Sequence, residues 1–216
     1  MPWTDPTPAS HGTCPLVLAS ASPARLATLR AAGVEPRVEV SGVDESLVVE
    51  RDPAVLVVRL AELKGRAVRD RLHPPVQAPG RGLLLACDSM LELDGEPFGK
   101  PAGASDAVRR WRRMRGRSGV LHTGHYLVDL LDGTETTRSA ATVVHFADLD
   151  DDEIADYVAT GEPLAVAGAF TVDGLGGPFV TGIEGDYHNV VGLSLPLLRE
   201  MVRERGVAWR SLTRPR

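Results

Sequence analysis

LVLASASPARLATLRAAG, residues 16–33, decides how this chain folds. The apolar run at 16–19 reads as a buried strand, and Ser20-Ala21-Ser22 is the turn that leaves it. Ser22 suits a helix N-cap, and Pro23 suits the first helical position, where a missing N–H costs nothing. Leu26 and Leu29 then fall on one helical face, and Gly33 can stop the helix. A strand that delivers hydroxyls, free backbone N–H groups and Arg25 to the positive end of a helix makes a place for phosphate or another anion. Turns of this composition also occur with no ligand, so the motif has to be weighed against the rest of the chain.

Downstream, the spacing of Val57, Leu60, Ala61, Lys64 and Val68 predicts a helix over 53–71. Before it, weak alternation over 37–41 predicts a short strand leading to Glu45. After it, HPPVQAPGRG (73–82) is a Pro/Gly loop, and LLLAC (83–87) is a second buried strand ending at Asp88. Residues 91–98 hold the turn Asp94-Gly95 and read as a hairpin closing on Gly99-Lys100-Pro101. A helix over 105–116, capped by Ser105, would bury Val108, Trp111 and Met114 and show a solvated basic face. Strands over 120–131 and 142–146, a helix over 148–160, a strand near 179–183 and a helix over 194–205 complete the chain. Strands and helices alternate at first and strands then cluster, which predicts an α/β protein with a mixed sheet.

The 216 residues, 43% hydrophobic, suffice for one domain over 14–216, undivided or with two lobes, after a loose lead-in at 1–13. A net charge of −5 argues against a nucleic-acid coat. No apolar run approaches the roughly 18–20 residues that cross a bilayer, and the N-terminal residues do not have the form of a secretory signal. Cys14 and Cys87 offer neither a disulfide framework nor paired metal spacing. The expectation is a cytoplasmic protein with no nucleic-acid or membrane partner.

Three common motifs are excluded. The stretch from Gly95 to Pro101 imitates a P-loop but is one spacer short and has Pro where Ser or Thr must reach magnesium. Gly174-Leu175-Gly176-Gly177 lacks the third glycine of a dinucleotide fingerprint and precedes a strand rather than a helix. No Gly-x-Ser-x-Gly elbow is present. What remains are charged residues at the ends of elements. Taken singly each has an ordinary explanation: Asp88 as a turn former, Glu45 and Lys100 as loop residues, Lys64 as a snorkelling lysine.

Taken together they form a pattern. Ser20-Ala21-Ser22-Pro23-Ala24-Arg25 resembles the Ser-x-Ser-Pro-Arg-Arg opening of the Maf family of nucleoside triphosphate pyrophosphatases. Glu45, Lys64, Asp88 and Lys100 follow in that family's order and approximate spacing. Ala167-Gly168-Ala169-Phe170, Asp173-Gly174-Leu175-Gly176 and Val190-Val191-Gly192-Leu193-Ser194-Leu195-Pro196 resemble its C-terminal segments, so the likeness runs from about Leu16 to Leu198.

The resemblance implies a mixed twisted sheet flanked by helices, with two lobes around a central cleft as in Maf and inosine-triphosphatase proteins. It implies hydrolysis of a nucleoside triphosphate to monophosphate and pyrophosphate, with non-canonical or modified nucleotides among the candidate substrates. Asp88 would orient or deprotonate the water, or hold a divalent metal, magnesium or manganese, together with Glu45. Lys64, Lys100, Arg25, Ser20 and Ser22 would grip the triphosphate. A homodimer is also implied. Because the Maf name is tied to inhibition of septum formation, the alternative is a nucleotide-sensing regulator of cell division without catalysis. The chain departs from the pattern at Ala24, Ser89 and Asp173. Pyrimidine-directed members have Arg, Thr and Gln there; the 7-methylguanosine subgroup often has Trp at the first and an acidic residue near the third. Ser89 and Asp173 are therefore candidate specificity residues.

Overall fold

The computed structural model of the chain describes residues 13–72 and 81–213. The expected lead-in at 1–13 and the loop at 73–82 lie almost entirely outside these residues. A seven-stranded mixed sheet organises the fold. It contains β1 (Leu16–Leu18), β2 (Arg37–Val38), β3 (Leu83–Leu93), β4 (Glu96–Phe98), β5 (Ser118–Asp129), β6 (Glu135–Phe146) and β7 (Val180–Glu184). The order is β2-β1-β3-β5-β6-β7, with β4 beside β3. β1 runs parallel to β2 and β3, and the remaining pairs are antiparallel. The helices are α1 (Pro23–Ala31), α2 (Pro53–Arg71), α3 (Ala104–Met114), α4 (Asp151–Ala159), α5 (Tyr187–Val191) and α6 (Leu195–Glu204). None of the helices in the described residues is long and apolar enough to cross a membrane.

α2 begins and ends at the residues its periodicity predicts, with Asp52 accepting from the amides of Ala54 and Val55 at its N-terminus. Its buried stripe meets Val17, Leu84, Ala86, Tyr126 and Val128 on one sheet face. Two glycines allow the close approach. A Cβ on Gly65 would enter the Tyr126 ring, and one on Gly124 of β5 would enter the Val57 carbonyl.

The opposite face carries two separate apolar cores. Leu83, Leu85 and Cys87 of β3 pack with β1, α1 and α6. Leu91 and Leu93 pack with α3, α4 and the Trp111 ring. Side chains of a strand alternate between faces, so Ser89 is the residue of β3 between these cores; it pairs with Thr123 of β5. A polar seam thus divides two lobes that share one sheet.

The expected end of β3 at Asp88 needs correction. β5 pairs with β3 without a break from Leu83 to Glu92, which carries the strand straight through Asp88. The interruption lies in the neighbours on its other edge. β1 pairs only with Leu83–Leu85 and β4 only with Leu91–Leu93, so 86–90 have no strand on that side among the described residues.

Smaller corrections concern ends of elements. α3 starts at Ala104 behind Gly103, without the Ser105 cap, and Asp106 accepts the Ala102 amide at 3.0 Å instead. The short strand covers only Arg37–Val38. β6 starts at Glu135 rather than near 142, because β5 provides a partner along its whole length. α4 starts at Asp151, where Asp150 and Glu153 form a capping box.

Candidate active site

Residues from both faces of the sheet reach the open edge of β3. From the α2 face, Lys64 brings its ammonium to Asp88, in an ion pair, and to Glu45 at 2.9 Å. Lys64 therefore lies on the buried stripe of α2 because it has anionic partners there. Glu45 is offered by a single 3-10 turn, Glu45–Leu47, that Asp44 caps through the Ser46 amide at 3.0 Å. Its side chain is 52% exposed, whereas that of Asp88 is 9% exposed. One carboxylate oxygen of Asp88, Oδ2, is buried with no hydrogen-bond partner among the described residues. Burial pushes the Asp88 carboxyl above the usual carboxylate range, against the opposing pull of Lys64 and Arg25.

From the other face, the hydroxyls of the turn after β1 bind its own backbone and Arg25. Ser22 Oγ accepts the Arg25 amide at 3.4 Å, and Ser20 Oγ accepts the Ser22 amide at 3.1 Å. The Arg25 guanidinium donates from Nε to the Gly192 carbonyl at 2.7 Å, from Nη1 to Ser20 Oγ at 3.3 Å and from Nη2 to Ser89 Oγ at 2.9 Å. Ser89 Oγ shares a hydrogen bond with Thr123 Oγ1 at 2.9 Å, and Thr123 donates to the Asn189 carbonyl at 3.2 Å.

His125 completes this support and was not singled out from the sequence. Its Nε2 accepts the Ser194 amide at 2.9 Å, which places the ring proton on Nδ1, opposite the Thr123 carbonyl at 3.1 Å. Burial lowers its pKa to about 4, so the ring is neutral. Thr123, Asn189 and Gly192 likewise hold Arg25 and Ser89 in place. Of these only Gly192 gave a sequence signal, as part of the Val-Val-Gly segment. It has φ +118, and a Cβ there would lie 3.4 Å from Arg25 Nε.

Lys100 stands apart from the Lys64 cluster. It is exposed, and its ammonium makes no hydrogen bond or ion pair among the described residues. The β3–β4 register ends at Leu91 paired with Phe98, and Lys100 follows two residues later in a bend, beyond the last paired residue of β4. The carbonyl of Gly99 accepts from Arg110 Nη1 at 2.6 Å and from the Gly168 amide at 3.1 Å, which fixes the turn before it.

Asp173 is exposed and lines a concavity of about 470 Å³ between α1 and α5, together with Ala24, Thr28, Tyr187 and His188. Two of the three positions that depart from the family pattern thus line one concavity. Ser89, the third, joins them through Arg25.

The sequence profile of the Maf-like protein family matches residues 15–205. The nucleoside triphosphate pyrophosphatase of Salinispora tropica is 63% identical over 189 residues, covering 88% of this chain and 83% of that relative. The protein of that name from Streptomyces coelicolor is 52% identical over 200 residues, 93% of this chain and 95% of its own length. The one from Gloeothece citriformis is 47% identical over 194 residues, 90% and 95% of the two chains.

Proposed function

The chain belongs to the Maf-like protein family and hydrolyses nucleoside triphosphates to monophosphate and pyrophosphate, and we propose that it does so at the open edge of β3. The observation that carries this reading is the buried, unpartnered Oδ2 of Asp88, beside a lysine that favours its carboxylate form.

The triphosphate crosses the gap between β1 and β4. Ser20, Ser22 and the N-terminus of α1 meet it from one side and Lys100 from the other. Arg25, already bonded to Ser89 and Gly192, adds a fixed positive charge without having to reorganise. Asp88 Oδ2 orients a water toward the α-phosphorus and accepts its proton as the oxygen–phosphorus bond forms. The bond from the α-phosphorus to the bridging oxygen breaks, and pyrophosphate leaves with the electron pair. Lys64 favours the carboxylate form of Asp88 against the effect of its burial and lies between it and Glu45.

The donor set also fits a divalent cation. Asp88 offers a free oxygen and Glu45 an exposed carboxylate, and magnesium typically takes one or two carboxylates with phosphate oxygens completing its shell. The described residues hold no cluster of three or more His, Cys, Asp or Glu side chains suited to a metal, so the substrate would supply the remaining ligands. When bound, the ion neutralises phosphate charge and makes the attacking water more acidic.

Ala24 and Asp173 border the concavity in which the base would lie, Ser89 is bonded to Arg25 next to Ala24 in the chain, and Asp173 would accept hydrogen bonds from base N–H groups. A cytoplasmic setting suits the substrate and the two free thiols, Cys14 and Cys87. The homodimer remains part of this proposal. Pyrophosphate release, measured over a panel of nucleoside triphosphates with magnesium and with a chelator, tests the reading. Turnover of at least one triphosphate that stops on chelation is expected. Saturable binding with no pyrophosphate from any triphosphate would contradict it.

A further inference from the structure

Asp173 sits at the apex of a loop that closes around one carboxylate. Glu162 begins the short 3-10 turn Glu162–Ala165 after α4, and its side chain points back into the loop. Its Oε1 accepts from Tyr157 Oη at 3.0 Å, from the Gly176 amide at 3.0 Å and from Thr171 Oγ1. Its Oε2 accepts the Leu175 amide at 2.9 Å. The loop is tied further by the Thr171 amide, which donates to Tyr157 Oη at 3.2 Å, and by Thr171 Oγ1, which accepts the Gly176 amide at 3.2 Å. Tyr157 is anchored in turn by ring contacts with Trp111 at 5.6 Å and Phe179 at 5.2 Å.

The two glycines after Asp173 take their meaning from this clasp. A Cβ on Gly174 would collide with Glu162 Oε2 and Thr171 Oγ1. One on Gly176 would collide with the Tyr157 hydroxyl and the Thr171 carbonyl. Neither glycine has a positive φ, so room rather than backbone freedom requires them. The Gly-x-Gly segment, which fails as a dinucleotide motif, is thereby accounted for. The donors also lower the carboxyl's pKa: burial opposes them, but Thr171, the two amides and Tyr157 together outweigh it.

We propose that Glu162 is a positioning residue for substrate discrimination, fixing residues 171–176 so that Asp173 presents its carboxylate to the base from a rigid wall. The proposal rests on the reading that Asp173 faces the base. Glu162→Gln keeps the shape but puts an NH₂ group against hydroxyl or amide donors, so the clasp cannot close. Thr171→Val removes one donor and keeps the loop's volume.

The test combines two measurements on the whole protein. The first is kcat and KM for ATP, GTP, CTP, UTP and dTTP in the wild type, Glu162→Gln, Thr171→Val, Asp173→Ala and the double variant Glu162→Gln/Asp173→Ala. The second is amide hydrogen exchange at Leu175 and Gly176. Glu162→Gln should narrow the spread of kcat/KM across the panel toward that of Asp173→Ala, mainly through KM. Thr171→Val should narrow it less, and the double variant no more than Asp173→Ala alone. Exchange at Leu175 and Gly176 should quicken by about tenfold or more in Glu162→Gln, with α2 unchanged. Unchanged exchange, or an equal fall in kcat for every triphosphate, overturns the proposal. A ranking moved by Asp173→Ala but not by Glu162→Gln or Thr171→Val overturns it alone, and a ranking untouched by all of them overturns the Asp173 reading as well.

Discussion

At Asp88, the proposed acceptor of the water proton, burial works against the carboxylate charge, while the fields of Lys64 and Arg25 favour it. An amide at this position keeps the shape but cannot take a proton. Asp88→Asn should therefore lower turnover by about 10²–10⁴-fold, the usual range for a general base. Titration with a slowly hydrolysed analogue should show binding held within about tenfold, or roughly 1.4 kcal/mol. Undiminished turnover would remove Asp88 from this role. His125 supports the seam in the opposite electrostatic state. Its pKa falls from 6.5 to about 4 through burial; Arg25 nearby also disfavours protonation and Asp186 favours it. The unfolded chain therefore binds a proton in that window which the folded chain refuses. Stability present above pH 6.5 is lost as pH falls toward 4, by about 1.4 kcal/mol per unit. Urea unfolding at pH 7 and pH 5 should show this loss in the wild type and a smaller one in His125→Gln. Equal losses would contradict the assignment.

Elements were legible where one strand or helix carried its own signal. α2 has a stripe, a cap and a proline at its start, and its limits follow from residues 53–71 alone. The turn from β1 into α1 is readable for the same reason, since Ser22 and Pro23 lie within it. The course of β3 was not, because its continuation through Asp88 depends on pairing with β5, far along the chain. Asp88 could be singled out as a candidate from residue type and order; its place beside a gap between two other strands could not. His125, Thr123 and Glu162 also escaped notice, since each acts through contacts with distant segments. Packing of α2 on the sheet has its own test. With no room above Gly124, Gly124→Ala must lift α2 from β5, at a cost of about 1–3 kcal/mol. Urea unfolding checks this, and pyrophosphate release should fall with it because Lys64 moves with the helix. An unchanged midpoint would show that the helix–sheet contact yields freely.

Over the whole molecule, a chain of net charge −5 has to hold a polyanion, so the necessary positive charge must be local. In the proposed site this charge gathers at the seam between two apolar cores. There the sheet face turns polar at Ser89 and Thr123, and one edge of β3 is left open between β1 and β4. Arg25 and Ser20 reach that edge from one face, Lys64, Glu45 and Asp88 from the other, and Lys100 follows the end of β4. A crystal structure with an α,β-methylene nucleoside triphosphate and magnesium tests this convergence most directly. The account predicts a triphosphate lying across residues 86–90, held by Arg25 and Lys100, with Asp88 Oδ2 facing the α-phosphorus. A triphosphate bound away from that edge, or one whose α-phosphorus lies beyond the reach of Asp88, would contradict it.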